Sequence, residues 1–306
     1  MLNFRTLFTS SAVAFLSVSL ADNTKPMGQI GVVLAGEKPK KTSALAPKPP
    51  EVVPAEPPLP LADLPEGAQL KLSFSDYFDG TTLDPKKWKI RGDQKRFNGF
   101  WLKKNVTLNG KGHLHLTTSR DIDLENGETS YAGGAIQTKG RFEQTYGYFI
   151  ARAQLQQASG DGYHCSFWLQ SDGTGDTSDA GALGGRNGTE IDVIEKFRKD
   201  GNIQHALHWD GYGKEHAKAN FSFPWPGITD GLHTFAVLWT PDHYTFYIDG
   251  VKTWTTTLGG VSQVPAFIRL TTEFSEGWNG NIADAKSLPD TFKVDWVRAY
   301  RLVLPE

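Results

Sequence analysis

From Leu70 onward the chain alternates apolar and polar residues with a period of two, in short runs broken by turns containing Gly, Asn or Asp. Such alternation places the apolar side chains on one face of a strand. Strands are predicted over Leu70–Phe78, Val106–Leu108, His113–Thr117, Ala135–Thr138, Tyr146–Leu155 and His164–Leu169. A second series covers Ile203–Trp209, His233–Trp239, Tyr244–Ile248, Val251–Thr257, Phe267–Thr272 and Phe292–Tyr300. Asn109-Gly110 and Asp249-Gly250 fall between such runs and read as hairpin turns. No long amphipathic helix and no internal repeat is found. Many strands and few helices predict an all-β domain of two stacked antiparallel sheets, a sandwich or jelly roll.

The N-terminal part follows another pattern. A short segment containing Arg5 leads into the apolar run Ala12–Leu20, which ends in small residues before Ala21. This is the form of a signal peptide over residues 1–21, cleaved after Ala21, and the run is too short to span a membrane. Ten of the seventeen prolines then lie between Pro26 and Pro65. Residues 22–65 are therefore expected to be a disordered, Pro-rich linker with nothing to bury. Residues 66–306 are expected to form a single β domain, exported to the medium, the periplasm or the cell surface.

Charge and composition narrow the class further. A formal charge of −2 over 306 residues argues against nucleic acid or an anionic membrane as partner. Nine Trp exceed what a core of this size needs, and Trp is the residue that stacks on the apolar faces of sugar rings. The single cysteine, Cys165, precludes an intrachain disulfide, and its neighbours Phe167 and Trp168 suggest a buried thiol. His113 and His115 share a strand face without a third ligand at zinc spacing, so no metal site is assigned there.

The chemistry concentrates in Gly188–Phe197, where Glu190, Asp192 and Glu195 put three carboxylates into six positions. As a helix the stretch has Thr189 as N-cap, acids in its first turn and Gly201 as a stop. As a strand it turns Glu190 and Asp192 to one face, and Glu195 joins them only if one extra residue is accommodated at Val193-Ile194. A β-bulge does this, and the β pattern of the remaining chain selects the bulged strand. Three carboxylates on one face cannot pack in a core, so that face must be open. Two carboxylates about 5–5.5 Å apart are what retaining glycosidases use, one attacking the anomeric carbon and the other protonating the leaving oxygen. Crowding should hold one of the acids protonated to higher pH. A solvated acidic edge or a cation site is the alternative for the motif alone.

With these residues in place, the chain resembles glycoside hydrolase family 16. Glu190-Ile-Asp192-Val-Ile-Glu195 is similar to the family signature in its longer form, with two residues between the Asp and the second Glu. Phe74–Gly80 with Leu83–Trp88, Tyr146–Arg152, Phe167-Trp168-Leu169, His233–Asp242, Tyr247–Gly250 and Val294–Tyr300 resemble family strands in order, over about residues 66–304. The resemblance implies a concanavalin-like β-jelly roll with a concave substrate cleft, and retaining hydrolysis of internal β-glycosidic bonds. It also implies Glu190 as nucleophile, Asp192 as the residue that steadies it and Glu195 as acid/base. The longer spacing is typical of members acting on β-1,3-glucans and on algal or animal β-galactans, including poly-N-acetyllactosamine glycans. Tyr163–Leu169 departs from the Trp-Pro-Ala-x-Trp-Leu of many glucanase members, which changes one cleft wall. No cofactor is required; some members carry a structural calcium on the convex side, for which no ligand spacing is found here.

Around the acids, Trp168, Trp209 and His208 are expected to line the cleft, with His208 reaching a substrate hydroxyl or Asp192. His205 is assigned to the opposite strand face. Asn98 and Trp101 occupy a loop where family members place a sugar-binding pair, and Trp278 is the counterpart on the other side. Arg91, Lys95, Arg96 and Arg186 are the basic residues available to a sulfated substrate. The leading expectation is an exported, monomeric, retaining endo-β-glycanase without a membrane span, acting on β-1,3-glucan and next on β-galactan. A noncatalytic sugar-binding module and a tethered surface-layer protein are the alternatives; neither needs both Glu190 and Glu195.

Overall fold

A computed structural model describes residues 30–33 and 59–305, except 124, 198–200, 276–279 and 282–286. In chain order the strands are β1 (Ile30–Val33), β2 (Gln69–Asp76), β3 (Lys89–Arg91), β4 (Gln94–Arg96), β5 (Gly99–Trp101), β6 (Val106–Leu108), β7 (Leu114–Ile122), β8 (Thr129–Gly133) and β9 (Ala135–Gln137). They continue as β10 (Gly147–Gln154), β11 (Tyr163–Ser171), β12 (Glu190–Lys196), β13 (Asn202–Trp209), β14 (Ala217–Pro224), β15 (His233–Trp239), β16 (Tyr244–Ile248), β17 (Val251–Thr256), β18 (Ala266–Phe274) and β19 (Asp290–Val303). Helical structure among the described residues is confined to 3₁₀ turns of three or four residues. None is long and apolar enough to cross a membrane.

Two sheets stack as the alternation predicts. One runs β1-β14-β13-β12-β11-β18-β9-β3, the other β17-β16-β15-β10-β19-β7-β8-β5-β4. The inward faces of both supply one large core, with Cys165, Phe167, Leu169, Ile191, Leu207 and Trp209 from the first sheet and Phe149, Phe235, Val237, Phe246 and Phe292 from the second. Burying each such aliphatic or aromatic side chain is worth roughly 1.5–3 kcal/mol, which makes the core the main source of stability. Burial pushes the Cys165 thiol up to about 12, so it stays protonated and inert. Asp249 and Gly250 both take positive φ between β16 and β17, the backbone of a two-residue hairpin turn.

One difference from the sequence reading lies in the C-terminal half of the chain and leads to another in the N-terminal part. The alternation in Ala217–Pro224 was not assigned to a strand, yet it pairs β13 along its whole length. Its far side pairs Ile30–Val33, three of whose four residues are β-branched, inside the segment expected to be linker. Asp63 also accepts a hydrogen bond from Tyr247 Oη at 2.7 Å and pairs Lys252. The linker expected over 22–65 is therefore interrupted by Ile30–Val33 and anchored near its end. The expected signal segment, 1–21, lies outside the described residues.

Candidate active site

The acids sit where the sheet is irregular. Asp192 pairs Ala206 and Glu195 pairs Gln204, so Val193 and Ile194 together oppose the single residue His205. On the other side the register shifts at Phe167/Trp168. This is the predicted bulge: Val193 and Ile194 both point into the core, fully buried, which returns Glu195 to the face carrying Glu190 and Asp192. His205 fixes it from the core side. Its Nδ1 lies 2.6 Å from the Val193 carbonyl and its Nε2 2.8 Å from Thr253 Oγ1. A carbonyl only accepts, so Nδ1 carries the proton. Burial brings the ring's pKa down to about 3 and keeps it neutral.

Crowding and burial act on the carboxyls in one direction. Glu195 is raised well above the usual carboxylate range by burial first and then by the charges of Asp192 and Glu190; a hydrogen bond from Gln204 Nε2 at 3.1 Å opposes this. Asp192, only 3% exposed, is likewise raised by burial and then by Glu190. Glu190 Oε2 accepts from Gln170 Nε2 at 3.3 Å and from the Tyr212 hydroxyl. Burial and the Glu190 charge push that phenol's pKa upward, so it remains a donor.

His208 faces the same side. Its Nε2 lies 3.3 Å from Asp192 Oδ2, and its Nδ1 2.9 Å from His216 Nε2. Burial lowers both imidazoles, His216 to about 4. A neutral pair carries one proton per link, which ties Asp192 to β14's preceding loop. Among the described residues, ligand atoms of Glu190, Asp192 and His208 also lie within 4.8 Å of one another.

The aromatic residues singled out from the sequence are placed differently. Trp209 is 1% exposed and belongs to the core. Period two explains it: β13 turns Gln204, Ala206 and His208 outward, so the adjacent Trp209 must face inward. Its ring packs so tightly on Gly259, a residue at positive φ, that a Cβ there would come within 2.7 Å. Trp101 is on strand β5 rather than in a loop and is also 1% exposed, with Nε1 donating to the Thr272 carbonyl at 3.2 Å. Trp168 does lie on the acids' face, but it is 5% exposed and the Arg269 guanidinium covers its ring at 4.0 Å. None of the three offers an open stacking surface. Asn98 is exposed at the tip of the β4–β5 hairpin, its backbone N–H donating to the Phe274 carbonyl at 3.3 Å. Trp278 lies outside the described residues.

The residues that the sequence reading missed are Gln170, Tyr212, His216, Gln204 and Arg269. Alternation would have found two of them: Gln170 is two residues beyond Trp168, and Gln204 four before His208. Tyr212 and His216 lie in the loop after β13, where Gly211 and Gly213 flank the tyrosine; only the fold brings that loop over Glu190. Of the basic residues considered, Lys95 pairs Glu125, Arg96 pairs Glu273 and Arg186 is exposed on a 3₁₀ turn. Arg91 alone lines a pocket beside the acids.

Comparison with known proteins agrees with this architecture. The chain is 24% identical over 275 residues to Glucan endo-1,3-beta-glucosidase A1 of Niallia circulans, across 76% of this chain and 38% of that protein. It is 26% identical over 263 residues to Beta-porphyranase B of Zobellia galactanivorans, across 76% of this chain and 84% of that protein. The structure of an endo-beta-1,3-glucanase from Pyrococcus furiosus superposes with a TM-score of 0.64 at 22% identity, covering 79% of this chain and 98% of that one, and shares the fold. Residues 93–298 match the model for glycosyl hydrolases family 16, and the chain belongs to that family.

Proposed function

We propose that the protein is a retaining endo-β-glycanase, with β-1,3-glucan as its leading substrate and β-galactan next. The observation that carries this reading is the bulge at Val193-Ile194, which sets Glu190 and Glu195 on one face with Asp192 between them. The Niallia relative, named for a glucan, supports the first substrate; the Zobellia relative, named for porphyran and covered over 84% of its length, supports the second. A sugar-binding module of the same fold would have no use for the second glutamate.

In the proposed reaction Glu195, held protonated, gives its proton to the glycosidic oxygen as that bond breaks. A Glu190 carboxylate oxygen bonds to the anomeric carbon from the opposite face, forming a covalent ester. Glu195, now ionised, takes a proton from water, whose oxygen attacks the same carbon and releases Glu190. Two inversions give net retention. Gln170 and Tyr212 orient Glu190 through Oε2. Asp192 is held by His208 Nε2 at 3.3 Å and lies close enough to Glu190 for the two carboxyls to interact.

This assignment is open to a stereochemical test. Glu190→Ala leaves room for azide, which should restore turnover on an activated substrate and yield an α-configured glycosyl azide. A β-azide, or azide rescue at position 195 giving the α-product instead, would reverse the two roles.

A further inference from the structure

A pocket of about 250 Å³ opens beside the acids, between β11, β18, β9 and the Tyr212 loop. Its charged lining residues are Arg91, Lys139, Arg269 and Asp172. Three cations and one anion give +2, in a chain whose formal charge is −2. The single acid is already engaged, since Asp172 pairs Lys139 at the rim.

Arg269 is one of the lining residues. It is 7% exposed, stacked 4.0 Å from Trp168 and 5.4 Å from Trp101. Trp101 also receives Arg96 at 4.8 Å and Arg91 at 5.8 Å, so three guanidiniums gather around one indole. Among the described residues, only Arg96 of the three has a carboxylate on it, Glu273 at 2.9 Å. Arg269 Nη1 donates to Gln170 Oε1 at 2.6 Å, while the buried Nε atoms of Arg269 and Arg91 have no partner among the described residues. A buried guanidinium normally has its donors satisfied, and two adjacent ones repel. Consistently, burial first, with Arg96 and Arg91 adding to it, brings Arg269 down to about 10 against the pull of Glu273 and Glu190. Stacking explains the orientation of the guanidinium plane. It does not explain why cations with free in-plane donors converge on a polar hollow.

We propose that this pocket binds an anionic substituent, a sulfate ester or a carboxylate, on the sugar unit held against Glu190, so that the natural polysaccharide is an anionic one. The position follows from Gln170, whose Oε1 takes Arg269 and whose Nε2 reaches Glu190 at 3.3 Å, and from Tyr212, which lines the pocket and donates to the same carboxylate. Planar N–H forks suit either oxyanion. The proposal rests on the endo-β-glycanase reading for where the sugar lies, and holds for a glucan or a galactan backbone.

The test separates binding from turnover. The full chain carrying Glu195→Gln is run through native polyacrylamide gels containing laminarin, sulfated laminarin or C6-carboxylated laminarin, and the same three forms of agarose. One anionic form is expected to retard it with an apparent Kd lower than the neutral parent's by about tenfold or more, as for hydrogen bonds to charged groups. Adding Arg269→Gln or Arg91→Gln should bring that ratio close to one. If Arg269→Gln does not fold, Arg91→Gln and the exposed Lys139→Met carry the same comparison. The sulfate and carboxylate arms name the substituent. Equal retardation by neutral parents, or an anionic preference that survives the substitutions, overturns the proposal. Absence of hydrolysis by the unmodified chain would remove the glycanase reading and leave this binding result standing.

Discussion

Glu195→Gln is expected to lower turnover about 10²–10⁴-fold, the usual contribution of a positioned general acid, and at the same time to raise the melting temperature at pH 7. The two effects have one source. Burial and the charges of Asp192 and Glu190 hold the folded-state pKa of Glu195 well above 4.5. In the unfolded chain the group ionises near 4.5, so above that pH folding must either take up a proton or desolvate a charge. The penalty grows as pH rises from about 4.5 to the folded-state pKa. The amide never incurs it and still accepts the hydrogen bond from Gln204. The stability gain should therefore be present at pH 7 and vanish below the ordinary carboxylate range, where both side chains are neutral. Thermal melts of the two proteins at pH 7 and pH 4 check this. A lower melting point for Glu195→Gln at pH 7 would mean that the carboxyl is not strained where it sits.

Deleting Ile194 is expected to abolish turnover and to destabilise the fold by several kcal/mol, since side chains alternate faces and a one-residue slip reverses each of them. Glu195 would take the inward position that Ile194 holds, among Phe167, Ile191 and Leu207. A carboxyl there has no partner, and an unpaired buried charge costs on the order of 3–5 kcal/mol. Lys196 would turn outward and lose its bond to Ser159 Oγ at 3.2 Å. The control is Ile194→Val, which keeps the count of residues; it should cost about 0.5–1.5 kcal/mol and leave turnover within a few-fold. Circular dichroism melts with reducing-end assays on both variants give the comparison. A deletion variant that folds and turns over like the control would show that the bulge does not place the acid.

The same local rule explains what could be read from the sequence and what could not. Glu190, Asp192 and Glu195 occupy a spacing that period two alone cannot satisfy, so the bulge was legible from the carboxylates themselves. The rule applied to β13 would have separated His208 from Trp209, which were both placed in the cleft. The Trp content suggested sugar-stacking surfaces. Trp209 instead fills the core, and Trp101 and Trp168 lie beneath arginines. Among the described residues, Tyr212 and Phe97 are exposed, at 57% and 50%. Arg269 and Tyr212 were missed because their meaning depends on which strands and loops become neighbours. β18 pairs with β11 across more than ninety residues of sequence, and no periodicity reports that. Ile30–Val33 was absorbed into the linker because its surroundings are rich in proline, although Ile30, Val32 and Val33 suit a strand.

The most direct test of the account is mass spectrometry of the products formed by the full chain from laminarin, mixed-linkage glucan, agarose, carrageenan and poly-N-acetyllactosamine glycans, beside the Glu195→Gln protein. A ladder of oligosaccharides from one backbone is expected, laminarin first and a galactan next, reduced about 10²-fold or more with Glu195→Gln. No products from any polymer, with binding to one of them retained, would contradict it and make the chain a sugar-binding member of its family.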